Sequence, residues 1–441
     1  MKHKLTTAAG FVLLLCLVSV ESLMAQDSSK TITLKEAIDL SINNSHLLKN
    51  SKAKIDEAAA AIQEASERRL PDVSVSGTYM YLPTAPNIHL ASDTSGKGFG
   101  GPKISQVVYG SLNASLPLYT GGKLKYGIES AKYLQEAAKL DAADNKEAVI
   151  INTINAYSNL YKSLKAVILV KENLEQSNQR VKDFTNLEQN GLVARNDLLK
   201  VKLQSSNIEL ALLDAQSNYK IASVNMALML GLKEQAALVA DSSSLQQTGD
   251  IKTIEEYEQL ALQSRNDITA LALRKKSAEL GIKSAKADYY PNIALTTGYI
   301  AADIPKFLTV TNAVTVGLGV KYSLSSLWKT KSKIEQADAR IKQITANQDM
   351  LNDNIRLQIN QAYQAYLLSR KKIEVYQQAV EQAAENYRIT KNKYDNALAT
   401  TTDLLDADVA QLQTKLNVSN ATADAVVAYN KLLQTAGILN N

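Results

Sequence analysis

Cysteine occurs once in this chain of 441 residues, histidine three times, tryptophan once and phenylalanine four times, although tyrosine occurs twenty times. One thiol excludes a disulfide framework, and so few scattered imidazoles leave no metal-ligand cluster, so neither a metal nor a cofactor is expected. Proline is as scarce: seven residues, about a third of the roughly 5% usual in proteins, which points to long uninterrupted helices. Charge of neither sign prevails. The 49 Lys and Arg against 44 Asp and Glu leave +5, mixed along the chain without a basic stripe, which excludes nucleic acid as a partner. No apolar run reaches the 18 residues of a membrane-spanning helix.

What is present begins with a leader. A basic start, Met1-Lys2-His3-Lys4, precedes the apolar stretch Ala9 to Val20, and Ala25 marks a plausible end, so residues 1–25 read as a signal peptide. The single Cys16 leaves with it. A lipoprotein signal would want a small residue before Cys16, where Leu15 stands.

The chain repeats itself. Thr33-Leu34-Lys35-Glu36-Ala37 returns as Thr253-Ile254-Glu255-Glu256-Tyr257, and Pro71 as Pro291, at an offset of 220. Farther on, Lys123 matches Lys329, Ala156-Tyr157 matches Ala362-Tyr363, Asn190 matches Asn396, Asp197-Leu198 matches Asp403-Leu404 and Gly231 matches Gly437, all at 206. A shortening by 14 residues therefore falls between these marker sets, where repeat one has a Gly- and Ser-rich loop, Pro83 to Lys103. The division that follows is a first repeat over 26–231, a linker over 232–252 and a second repeat over 253–441.

Every proline lies between helical segments. Residues 33–69 and 253–289 read as helices, followed by two strands, a very long helix (about 123–190 and 329–396) and a last helix ending at Gly231 or Gly437, where glycine suits a C-cap. Ile150, Ile154, Tyr157, Tyr161, Leu164 and Ile168 step by three and four, the spacing of a coiled-coil seam. At 1.5 Å per residue the long helix extends about 100 Å, and the two shorter ones end to end match it.

The strand segments alternate. Val73, Val75, Tyr79 and Tyr81 face away from Ser74, Ser76 and Thr78, and Val314, Val316, Leu318 and Val320 from Thr315, Gly317 and Gly319. Such segments fit either a soluble two-layer sheet or a transmembrane barrel. A secreted chain with four strands can close a barrel only with other protomers, since an open edge cannot face lipid. Tyrosines at the strand ends and Trp328 fit an interfacial belt.

With these features the chain resembles the outer-membrane efflux family of TolC-like channels. The resemblance rests on the two repeats, on Ser115-Leu116-Pro117-Leu118-Tyr119-Thr120-Gly121-Gly122-Lys123, and on the turn segments 190–199 and 396–407, in which Gly191-Leu192 is followed by Asp197-Leu198 and Ala397-Leu398 by Asp403-Leu404. It implies a mixed α and transmembrane β fold: a long antiparallel coiled-coil α-barrel, with four strands per protomer contributing to a shared twelve-stranded β-barrel in a homotrimer. It also implies an outer-membrane export channel reaching into the periplasm for efflux or type I secretion, a periplasmic adaptor (membrane fusion) protein, an inner-membrane transporter, contact with outer-membrane lipid, and an equatorial position for the linker.

The resemblance places the two turns at the periplasmic tip. Gly191, Leu192, Leu198, Ala397, Leu398 and Leu404 then meet the adaptor, although the leucines fit coiled-coil packing equally. Tyr394, Asn196 and Asp197 match residues that hold the gate closed, while Ala399 stands where the family often has Arg. Either the gate is held more weakly, or Arg195 substitutes. Asp403 and Asp406 share a helix face and would make an acidic ring under three-fold symmetry; Asp197 and Asp403 also suit helix caps.

No catalytic set emerges, so no enzyme is expected. Gly96 to Gly101 resembles a phosphate loop, but Pro102 follows where a helix should open. His46 and His89 have no ligand companions. The competing reading is a non-conducting secreted scaffold or adhesin, and the cargo is not written in the sequence.

Overall fold

The computed structural model describes residues 30–84, 104–234, 237–245, 251–305 and 308–439. The signal peptide, most of the Pro83 to Lys103 loop with His89 and the Gly-rich run, and parts of the linker lie outside the described residues. The first repeat contains β1 (Lys30–Ile32), α1 (Leu34–Asn44), α2 (His46–Glu67), β2 (Asp72–Tyr81), β3 (Gln106–Tyr119), α3 (Lys123–Gln189) and α4 (Arg195–Leu230). The linker holds β4 (Leu238–Ala240). The second repeat contains α5 (Ile254–Ser264), α6 (Asn266–Lys286), β5 (Asn292–Ile304), β6 (Leu308–Lys321), α7 (Ser326–Asp395) and α8 (Thr401–Thr435).

Each leading helix, expected as continuous, is broken once. Ser45 leaves helical geometry, and its hydroxyl accepts the Leu48 N–H at 3.3 Å, so the residue ends α1 and starts α2. Arg265 does the same between α5 and α6, with ψ at 129°. The breaks have equivalent uses. Asn44 Nδ2 donates to the Leu230 carbonyl at 2.7 Å, and Arg265 Nη1 to the Thr435 carbonyl at 3.0 Å, so each break satisfies a carbonyl at the end of a returning helix.

The chain forms two compact units. One takes the described residues of Met1–Asn50, Ala143–Arg265 and Asn352–Asn441. Its core gathers Ile32, Tyr157, Leu160, Met226, Leu230, Leu238 and Val426, all buried. The expected seam on α3 holds at Ile150, Ile154 and Tyr157, but Ile168 is exposed and Val170 is buried instead. A two-stranded sheet that periodicity missed also lies here: β1 pairs in parallel with β4, Lys30 opposite Leu238 and Ile32 opposite Ala240. Tyr157 fastens it, its hydroxyl donating to the Ile32 carbonyl (2.9 Å) and lying 3.0 Å from that of Asp241.

The other unit, Ser51–Ala142 with Asn266–Leu351, carries the four-stranded antiparallel sheet in the order β2-β3-β5-β6. Its register places Val75 opposite Leu112, Leu116 opposite Leu295, and Leu295 opposite Leu318. The alternation read from the sequence is realised. Val73, Val75, Val314, Val316, Leu318 and Val320 are each more than 60% exposed, while Ser76 and Ser111 share a hydrogen bond of 2.8 Å on the polar face. Pro117 lies beyond the end of β2, where only β5 accompanies β3 and the register shifts before Tyr119, a place that tolerates a missing N–H. The hairpin connections, 82–105 against 305–307, differ by more than those 14 residues; a longer β5 and a longer stretch from β6 to Lys329 offset the excess.

Candidate gate at the paired helix turns

Both turns use the same backbone device. Leu192 N–H bonds to the Leu187 carbonyl and Gly191 N–H to that of Glu188; Leu398 and Ala397 repeat this onto Lys393 and Tyr394. The geometry is a Schellman cap, and its left-handed position falls on Gly191 at φ 72° and on Ala397 at φ 60°. Each cap throws its leucine outward, leaving Leu192 71% and Leu398 76% exposed. Leu198 and Leu404, expected to share the adaptor contact, are instead buried: they begin the apolar faces of α4 and α8 and pack the coiled coil.

The helices that follow start differently. Thr400 caps α8, its hydroxyl accepting the Asp403 N–H while the Asp403 carboxylate accepts the Thr400 N–H at 2.8 Å. The Thr400 hydroxyl, reinforced by its N–H, holds the Asp403 carboxyl below the usual range. In the first repeat the equivalent residue is Ala194, which offers no side-chain cap. Asp197, at the third position of its helix like Asp403, is thus left without a capping partner and faces Lys200 Nζ at 3.5 Å. Neither aspartate is itself the N-cap.

Lys200 also reaches Thr402 Oγ1 at 3.4 Å, so one ammonium touches both turns. Arg195, the expected substitute for the arginine missing at Ala399, is exposed and has no partner among the described residues; Lys200 lies one turn farther along α4 and reaches the second repeat. Tyr394 stacks on Phe184 with ring centres 5.6 Å apart and planes 17° from parallel. Leu198, Val201 and Leu405 complete this cluster from α4 and α8. Burial pushes the Tyr394 phenol up; the Thr401 hydroxyl opposes this, and the Asp197 and Asp395 carboxylates add to it. Tyr394 therefore lies within electrostatic reach of Asp197, while Asn196 and Asp406 are exposed and their side chains make no hydrogen bond among the described residues.

Beside the cluster lies a charged group whose members are far apart in the chain. Arg180 Nη1 lies 2.9 Å from Asp408 Oδ2, and these side chains are only 9% and 1% exposed. Arg180 Nη2 donates to the Tyr387 hydroxyl at 3.2 Å, and Asn173 Nδ2 donates to the same carboxylate at 3.3 Å. Burial alone would lower the Arg180 pKa, but the hydrogen bond and charge of Asp408 outweigh it and raise the value, so the guanidinium stays charged. Three helices, α3, α7 and α8, are pinned at one point. Lys200 was legible as an i, i+3 companion of Asp197; the Arg180 set had no local signature.

The family model described as outer membrane efflux protein matches this chain twice, over 37–232 and 258–438. Outer membrane efflux protein BepC of Brucella suis biovar 1 (strain 1330) is 22% identical over 325 residues, 73% of this chain and 70% of that protein. The outer membrane protein VceC of Vibrio cholerae superimposes with a TM-score of 0.73 at 20% identity, covering 92% of this chain and 96% of that one. The CmeC outer membrane channel of Campylobacter jejuni gives 0.74 at 17% identity, over 92% and 86%. By this match and by its fold, the chain belongs to the outer membrane efflux protein family and is an outer-membrane channel component of export.

Proposed function

We propose that three copies of the chain close a twelve-stranded barrel in the outer membrane and continue as a helical tunnel into the periplasm, where the paired turns form the gate. A periplasmic adaptor protein meets the exposed Leu192 and Leu398 and connects the channel to an inner-membrane transporter. The linker 232–252, through β4, sits at the tunnel's equator between repeats 26–231 and 253–441. The observation that carries this reading is the sheet itself: among the described residues β2 and β6 are edge strands with one neighbour each, and the apolar face is exposed along its length. Unpaired edges cannot face lipid, and four strands are too few to close alone. Two further faces await a neighbour: Leu203, Leu210, Ile221 and Leu228 along α4, and Leu357, Leu368 and Val375 along α7, are exposed.

In the gate, Tyr394 against Phe184, and Lys200 between Asp197 and Thr402, hold the turns together, while the exposed Asp406 and the Asp403 carboxylate, one of whose oxygens stays in the Thr400 cap, present a ring of negative charge to cations. Asn196 adds an exposed amide beside Asp197. Purified in detergent, the full chain should run as a heat-modifiable trimer and give discrete conductance steps in planar bilayers. A monomer extracted by carbonate would overturn the reading and favour a non-conducting scaffold. For the gate, a Tyr394→Ala, Asp197→Ala double variant should open more often; unchanged openings would remove these residues from the closed state.

A further inference from the structure

The register brings all four helix–strand junctions to one end of the sheet, since Asp72 lies opposite Ser115, Tyr119 opposite Ile293 and Asn292 opposite Lys321. Within about three turns of those junctions the chain covers 60–72, 120–133, 280–292 and 321–336. These segments contain eleven Lys and Arg against six Asp and Glu, an excess of five. The whole chain has an excess of five, so the remainder is balanced at 38 of each sign and the entire net charge is concentrated in this band.

Ion pairing does not consume it. Asp288 serves two lysines, Lys123 at 2.9 Å and Lys333 at 2.6 Å, leaving that trio positive. Arg69, Lys125, Lys283, Lys286 and Lys329 are exposed and have no partner among the described residues. Immediately beside them on the strand side, Leu70, Tyr290, Tyr322, Leu324, Leu327 and Trp328 are exposed too, continuous with the apolar face of the sheet. Aromatic rings next to apolar strands belong at the headgroup level, and cations one turn farther out reach the phosphates with their alkyl stems along the acyl boundary.

We infer that this band is a binding surface for anionic phospholipids of the periplasmic leaflet, with the unpaired lysines and Arg69 as headgroup ligands and the aromatic row fixing their depth. The inference rests on the outer-membrane reading. Charge sign selects the partner: zwitterionic headgroups offer the same phosphate, but only a net anionic leaflet gains from a band with an excess of cations.

The test uses the full-length trimer in nanodiscs of phosphatidylethanolamine alone or with a fifth of phosphatidylglycerol at low salt. Phosphatidylglycerol should be enriched in the lipid that co-purifies with the protein and should raise the temperature at which the trimer dissociates. A Lys283→Gln, Lys286→Gln, Lys329→Gln variant should lose both effects, with affinity falling roughly fivefold per charge removed, and the corresponding triple Arg variant should retain them. Insertion into both compositions with equal dissociation temperatures and no enrichment overturns the inference alone. Failure to insert into either overturns the outer-membrane reading and the inference with it.

Discussion

Ala397 holds φ 60° at a cap where its counterparts Gly191, Gly231 and Gly437 carry no Cβ. The left-handed conformation costs an L-residue about 1 kcal/mol or slightly more. Ala397→Gly should therefore stabilise the folded chain by about 1 kcal/mol, less the small entropy glycine returns to the unfolded state, measurable as a raised thermal midpoint. The Arg180–Asp408 pair makes the opposite case. Asp408→Ala should destabilise by about 3–5 kcal/mol because it strands a buried guanidinium, whereas an Arg180→Met, Asp408→Leu double variant should recover most of the loss. Thermal unfolding of both proteins in detergent checks this, and equal losses would show that the pair is not the cause. The two residues come from α3 and α8, with nothing nearby in sequence to announce either, so their joining was legible only in the structure. Gly191 and Ala397, by contrast, were legible because a turn is decided locally.

Among the elements, the unequal starts of α4 and α8 give a paired prediction. Installing the missing cap with Ala194→Thr should stabilise α4 by about 1 kcal/mol and draw Asp197 away from Lys200, seen as a loosened gate in conductance. In α8 the Asp403 pKa is lowered in the folded state, so its contribution is fully present above the ordinary carboxylate pKa and is lost as pH falls through the lowered value. The stability difference between the chain and an Asp403→Ala variant should thus be full at pH 7 and vanish in strong acid. Long helices and alternating strands were readable because their periodicity runs for many residues. The breaks at Ser45 and Arg265 were missed because the apolar pattern carries through them, although Asn44-Ser45 is itself a cap signal. The three-residue strands β1 and β4 are too short to show any period.

For the whole molecule, the exposed apolar rows on α4 and α7 predict where protomers meet. Those helices run in opposite directions from their turns, so residues at similar distances should face each other across the seam. Ile221 and Leu368 both lie about 40 Å from the turn at 1.5 Å per residue. An Ile221→Cys, Leu368→Cys variant should therefore cross-link into a covalent trimer under oxidation, visible on a denaturing gel, whereas either single variant should not. Fold class was legible, since the duplicated pattern of long helices and alternating strands runs through both repeats. The cargo was not, because no set of side chains among the described residues selects one class of substrate over another.

The parallel pairing of Lys30–Ile32 with Leu238–Ala240 sets a sequence of events as well as a fold. Strand β1 is the first described segment to leave the ribosome, yet its strand partner among the described residues follows the entire first repeat. Until that repeat has been made and exported, Ile32 has no Leu238 to shelter it and the Tyr157 hydroxyl has only half its anchorage. Closing so long a loop is slow. The start of the described chain therefore stays untied until Leu238–Ala240 has emerged, a little over halfway along the 441 residues, and the first repeat passes without this lock.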